Sequence, residues 1–173
     1  MNLEQRCKTI QLILSDVDGV MTDGMLVFDN QGIESKRFHV RDGTGIKLWR
    51  RAGGQFGIIT ARTSHVVEVR SGELGIDIVR QGVDHKVSTV KAVLKELNLK
   101  PEQAAYIGDD LLDLGCVQFV GLGVAVADAC EELRGVADLV TELPGGRGAV
   151  RETIETILKS QRRWDDLVAS YQS

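Results

Sequence analysis

The chain has 173 residues, 43% of them hydrophobic and 27% charged, a balance that suits one globular domain with a core of its own. Its 21 Lys and Arg against 25 Asp and Glu leave a net charge of −4, which excludes the basic footprint of a general nucleic-acid binder. No apolar run approaches the ~18 residues of a membrane span, and residues 1–6 have no signal-peptide pattern, so no membrane partner and a cytoplasmic location are expected. Cys7, Cys116 and Cys130 are odd in number and scattered, which suits reduced thiols acting as small buried residues.

Residues 10–15, an apolar run ending at Asp16, predict a buried first strand. Residues 25–28 and 34–40 flank the polar link Asp29-Asn30-Gln31-Gly32 and predict a β-hairpin. Ile46, Trp49 and Ala52 give helical spacing over residues 43–52, closed by Gly53-Gly54. Residues 56–60 predict a second buried strand, and Ser64 is placed to cap a helix that runs through Leu74 and stops at Gly75. A short strand over 77–80 precedes a helix over 86–97, where Val90, Val93, Leu94 and Leu97 recur on one face. A strong strand over 104–107 leads to a helix over 111–117, a strand over 123–126, a short helix over 130–135 and a last strand over 137–140. A helix over 148–160, continued over 162–170, makes a C-terminal helical tail of about 148–173.

Strands alternating with helices predict an α/β protein, with a doubly wound (Rossmann-like) parallel sheet flanked by helices. The hairpin, about residues 24–40, is inserted after the first strand and is the one departure from the alternation. Residues 1–173 therefore read as a single domain, with no insertion of the ~60–100 residues that a separate cap would need.

Ligands of open α/β sheets bind beyond the C-terminal ends of the strands. Asp16-Val17-Asp18-Gly19-Val20 follows the first strand, Thr60-Ala61-Arg62 the second, Gly82 and Lys86 the third, and Gly108-Asp109-Asp110-Leu111-Leu112-Asp113 the fourth. Carboxylates gathered at one edge repel, and a divalent cation removes the conflict. Hard oxygen ligands beside a phosphate site favour Mg²⁺. The expected ligands are Asp16, Asp109 and the main-chain carbonyl of Asp18, with Asp110 and Asp113 behind them as outer or helix-terminal groups. Asp16 is the candidate nucleophile, attacking phosphorus to form an aspartyl-phosphate. Asp18 is the candidate acid that protonates the alkoxide leaving group, then the base that activates water. Gly19 frees the turn, Thr60 can hold a phosphate oxygen, and Lys86 offsets a phosphate charge of roughly −1.5 to −2.

In this order, Asp16-Val17-Asp18-Gly19-Val20, Thr60, Lys86 and Gly108-Asp109-Asp110-Leu111-Leu112-Asp113 resemble the four motifs of the haloacid dehalogenase superfamily of phosphohydrolases. Three further segments are similar to the superfamily's capless 3-deoxy-D-manno-octulosonate 8-phosphate phosphatases, and the likeness covers roughly residues 8–160. They are Phe38-His39-Val40-Arg41-Asp42-Gly43, Ala127-Asp128-Ala129 and Gly145-Gly146-Arg147-Gly148-Ala149-Val150-Arg151-Glu152. The resemblance implies a Mg²⁺-dependent phosphatase that releases the octulosonate (Kdo) destined for lipopolysaccharide. It implies substrate contacts at Asp18, His39, Val40, Arg41, Asp42, Gly43, Lys47, Arg62, Arg70 and Lys86, the two arginines suiting a sugar-acid carboxylate. It also implies a homotetramer in which a neighbour's hairpin and C-terminal tail, with Arg147, help close the site. Lys47, Ala61 and His39 stand where the family usually carries Arg, Gly and Asn.

The nonulosonate 9-phosphate phosphatases, of the sialic-acid type, share almost every motif and remain an alternative. Arg62, where they tend to carry an acidic residue, leans towards the octulosonate. A receiver-like signalling module is a more distant alternative, for it also sets Asp, Thr and Lys on such a sheet. Its phosphorylated Asp follows the third strand, however, and it has no use for Asp18, a group that speeds hydrolysis.

Overall fold

The computed structural model describes residues 1–172; Ser173, the last residue of the expected tail, lies outside them. Along the chain, β1 (Leu12–Ser15) is followed by the antiparallel hairpin β2 (Val27–Phe28) and β3 (Glu34–Ser35). The remaining strands are β4 (Gln55–Ile59), β5 (Ile78–Arg80), β6 (Ala104–Gly108), β7 (Leu122–Ala125) and β8 (Leu139–Val140). All but the hairpin strands pair in parallel, in the order β5-β4-β1-β6-β7-β8. The chain thus builds outward from β1 to one edge, then restarts beside β1 and builds to the other. The halves part between β1 and β6, the switch point where such sheets open a crevice at their C-terminal edge. Ser15 lies level with Ile58 and Ile107, so Asp16, Thr60 and Asp109 leave the sheet within one residue of a common level.

The helices are α1 (Leu3–Thr9), α2 (Val40–Arg51), α3 (His65–Leu74), α4 (Lys86–Glu96), α5 (Leu114–Phe119), α6 (Glu131–Val136), α7 (Ala149–Ser160) and α8 (Trp164–Ala169). α1 packs on α7, and α2 on α3 and α7, while α5 packs on α4 and α6. These two groups bury the sheet, which is why β1 and β6 are mostly apolar with every residue buried. Trp49 is fully buried, and its indole N–H is satisfied by the Gln55 carbonyl at 2.7 Å.

Several boundaries differ from expectation. α1 precedes the first predicted strand and is nucleated by a capping box between Asn2 and Gln5. The second hairpin strand ends at Ser35 rather than Val40, and Val40 opens α2, three residues before the expected start. Residues 111–117, expected as one helix, divide into a 3₁₀ turn (Leu111–Asp113) and α5. Ser64 sits at the N-terminus of α3 but makes no capping hydrogen bond, because its hydroxyl is donated to Glu34 instead. The tail lies on this chain's own α2 and α7. The Trp164 ring lies under Arg151 and Lys159, and the Arg163 guanidinium donates to the Ala52 carbonyl.

Among the described residues no helix is long and apolar enough to cross a membrane. Cys7, Cys116 and Cys130 are free thiols, the first two buried.

Candidate active site

Asp16 leaves β1 at the switch point with its amide donated to the Ile107 carbonyl at 3.0 Å. Its carboxylate is almost buried and held at both oxygens: Oδ1 accepts from the Val17 amide at 2.7 Å, and Oδ2 lies 2.7 Å from Lys86 Nζ. Lys86, the first residue of α4, also reaches Asp113 Oδ1 at 2.7 Å. Asp113 is fully buried; it accepts the Tyr106 hydroxyl proton at 2.8 Å through Oδ1 and the Asp109 amide at 3.1 Å through Oδ2. The tight turn after Asp109 is what aims Asp113 inward. Asp110 stays exposed and closes that turn by accepting from the Leu111 amide at 2.8 Å.

Crowding sets the electrostatics. Burial, then the Asp113 charge, pushes Asp16 up to about 6 even though Lys86 pulls the other way. Burial, then Asp113 and Asp16, pushes Asp109 up to about 7. Burial opposes the Lys86 charge, but Asp16 and Asp113 outweigh it and hold the ammonium above its usual range.

This donor set fits a divalent cation. Oxygens of Asp16, Asp109 and Asp113 lie within 4.8 Å of one another. Asp113 is committed to Lys86, Tyr106 and the Asp109 amide, whereas the Asp109 carboxylate has no hydrogen bond or ion pair among the described residues. The Asp18 carbonyl is likewise free of main-chain donors. Hard oxygens whose ionisation is suppressed by burial and by mutual repulsion suit Mg²⁺, which draws on few carboxylates. Gly19 makes room for them. Its φ is +91°, and a Cβ there would lie 2.0 Å from Asp109 Oδ2. Gly145 in turn backs the turn so closely that a Cβ would lie 1.7 Å from the Gly19 carbonyl oxygen.

Thr60 is buried just beyond β4, with its Oγ1 3.4 Å from the Arg62 amide. The Arg62 guanidinium turns back to the site, with Nε 3.6 Å from Asp18 Oδ2 and a terminal nitrogen 2.8 Å from Glu34. The sequence motifs missed two hairpin residues here. The Lys36 ammonium is buried against Asp18 Oδ1 and lies 3.2 Å from Glu34, and Glu34 accepts the Ser64 hydroxyl proton at 2.6 Å. The Ser64 hydrogen bond, against a smaller opposing effect of burial, and then Arg62 and Lys36 hold Glu34 down to about 2. The signal available was the i, i+2 spacing of Glu34 and Lys36, which puts both on one face of an extended segment.

Among the described residues, no hydrogen bond or ion pair joins His39, Val40, Arg41, Asp42, Gly43, Lys47, Arg70 or Arg147 to Asp16, Asp18 or Asp109. Asp42 and Gly43 are framework. The buried Asp42 carboxylate accepts the Arg151 amide at 2.8 Å and so caps α7, and Gly43 lies under the Arg70 guanidinium. Arg70 stacks on Phe38 at 5.7 Å and pairs with Glu73 at 3.0 Å. Val40 and Lys47 are exposed. Arg41 lines a cavity of about 630 Å³ with Arg147 and Arg151, and His39 lines one of about 280 Å³ with Arg37 and Arg147.

Residues 58–150 match the haloacid dehalogenase-like hydrolase family. The chain is similar to the 3-deoxy-D-manno-octulosonate 8-phosphate phosphatase of Yersinia pestis, 46% identical over 157 residues that cover 91% of this chain and 84% of the relative. It is 43% identical over 161 residues to the protein of that name from Escherichia coli (strain K12), covering 93% of this chain and 86% of the relative. The fold is similar, with a TM-score of 0.96, to a crystal structure of 3-deoxy-D-manno-octulosonate 8-phosphate phosphatase from Moraxella catarrhalis in complex with a magnesium ion, a phosphate ion and a KDO molecule. That pair is 41% identical, and the match covers 97% of each chain.

Proposed function

The chain belongs to the haloacid dehalogenase-like hydrolases, among the 3-deoxy-D-manno-octulosonate 8-phosphate phosphatases, and from that premise we propose how its own residues divide the work. It is a phosphoric monoester hydrolase that takes 3-deoxy-D-manno-octulosonate 8-phosphate to Kdo and phosphate with Mg²⁺ as cofactor. The observation that carries the division of labour is the contact of Asp16 with Lys86 at 2.7 Å, two residues before an Asp18 whose Oδ2 has no hydrogen-bond partner.

Asp16, Asp109 and the Asp18 carbonyl would hold the Mg²⁺. When bound, the cation offsets the phosphate charge and favours the ionised form of both carboxylates. The Asp16 carboxylate attacks phosphorus, and the bond from phosphorus to the sugar oxygen breaks. Asp18 gives that oxygen its proton. The same carboxylate then takes a proton from the water that attacks phosphorus, and the bond to Asp16 breaks to release phosphate. Lys86, anchored by Asp113, brings fixed positive charge to the phosphoryl group and needs no rearrangement to do so. The Thr60 hydroxyl donates to a phosphate oxygen, and the Arg62 guanidinium, at the mouth beside Asp18, meets the anionic sugar acid.

We place His39, Val40, Arg41, Lys47, Arg70 and Arg147 at the boundary with neighbouring protomers of a homotetramer, where they would meet the sugar. Supporting this is the apolar surface that one chain leaves bare: Met25, Leu26, Val27, Phe28 and Ile33 are each at least half exposed on the hairpin. Free thiols support a cytoplasmic location. Residues 1–173 are read as one domain.

The test is phosphate release, as kcat/KM with Mg²⁺, from the octulosonate 8-phosphate, nonulosonate 9-phosphates and common hexose phosphates. The octulosonate ester is expected to lead. A nonulosonate leading would move the substrate class while keeping the chemistry, and no release from any ester would overturn the reading.

A further inference from the structure

Lys36 has no task in the mechanism above, yet its side chain is only 1% exposed and sits against the acid/base. The two oxygens of Asp18 are not equivalent. Oδ1 is held by the Lys36 ammonium, whereas Oδ2 is buried and accepts no hydrogen bond, with Arg62 Nε no nearer than 3.6 Å. A carboxylate that gives up a proton and takes one back needs one oxygen fixed and the other open. The terminal torsion of Asp is broad and roughly two-fold, so nothing intrinsic to the side chain makes that choice. Lys36 is itself anchored: Glu34 lies 3.2 Å from its Nζ and is fixed by Ser64 at 2.6 Å and Arg62 at 2.8 Å. A line of contacts therefore runs from the start of α3 through the hairpin to Asp18.

We propose that Lys36 is a positioning residue for the phosphoryl transfer, locking the Asp18 carboxylate so that Oδ2, which accepts no hydrogen bond, is the oxygen left to exchange the proton with the ester oxygen. This rests on the reading of Asp18 as the acid that protonates the leaving group. The ammonium does not touch the phosphoryl group. Removing it leaves Asp18 in place but free to turn, so the loss falls on the step that needs a directed proton.

The test uses two ester classes that differ in that need. An alkoxide must be protonated as it leaves, whereas p-nitrophenolate departs without help. Because kcat/KM extends only to the first irreversible step, it reports transfer to Asp16 and not the later attack of water. kcat/KM is measured at saturating Mg²⁺ for the octulosonate 8-phosphate, hexose phosphates and p-nitrophenyl phosphate. The proteins are the intact wild type, Lys36→Met, Lys36→Gln and Asp18→Asn. Lys36→Met should lose about ten- to a hundredfold on the sugar esters and less than about threefold on p-nitrophenyl phosphate. Asp18→Asn should show the same bias at larger size. Lys36→Gln keeps a hydrogen-bond donor; it should show the bias at smaller size and carries the test if Lys36→Met does not fold. Equal losses on both ester classes would overturn the inference. Failure of the substrate reading is a separate result: the wild type would prefer a hexose phosphate, and the Lys36 bias would be read on that ester.

Discussion

Asp16 and Asp109 are unfavourable to the metal-free fold. Burial pushes them up to about 6 and about 7, against an ordinary value of 3.8. Between the ordinary and raised values the folded state holds more protons than the unfolded one, so these groups make metal-free stability fall as pH rises from about 4 to about 7. A cation that binds the ionised pair must displace those protons, and its affinity therefore rises with pH over the same range. Melting temperatures with a chelator and with Mg²⁺ test this: the gain from Mg²⁺ should be larger near pH 8 than near pH 5.5, and equal gains would contradict it. At this scale the meeting of Asp16, Asp109 and Lys86 was legible in the sequence, because Asp16 and Asp109 each follow an apolar run and Lys86 opens the helix after the third parallel strand. Glu34 and Lys36 were not, since charges on a short exposed strand ordinarily serve only to blunt an edge. Their meeting with Asp18 depends on the hairpin folding back over the site. The carboxylate of Asp42 was read as a substrate contact through its motif, but its place is at the end of α7.

The hairpin and the joint between α2 and α7 are the elements that frame the site. Asp42 ties the joint, accepting the Arg151 amide from a buried position. Asp42→Ala should destabilise the fold by about 1–3 kcal/mol, seen as a lower urea midpoint at unchanged slope, because it leaves a helix N-terminus unsatisfied. An unchanged midpoint would remove Asp42 from the frame. Most strands and long helices were legible from periodicity. α1 was hidden because only Cys7 of its seven residues is buried, so it presents almost no apolar stripe and its capping box is the sole local mark. The early start of α2 was masked because residues 34–40 read as one extended run, whereas the strand ends at Ser35 and Val40 opens the helix. Ser64 had two competing uses, and the contact with Glu34 prevailed over the cap.

For the whole molecule, alternation of strand and helix was sufficient to imply the doubly wound sheet, and the switch point between β1 and β6 then dictates where Asp16 and Asp109 meet. The proposed assembly is not written in periodicity; it rests on the apolar hairpin, which one chain leaves uncovered. Light scattering should give the mass of four chains, and Met25→Glu with Phe28→Glu should give a smaller species with reduced kcat/KM for the sugar ester. A wild type that runs as a monomer with full activity would contradict the assembly. Passage of phosphorus through Asp16 is tested by an acid-quenched single turnover with substrate labelled in its phosphate. Transient label is expected on the peptide carrying Asp16 in the wild type, with none in Asp16→Asn and turnover there reduced by at least about a thousandfold. Label on another residue, or wild-type turnover by Asp16→Asn, would contradict it.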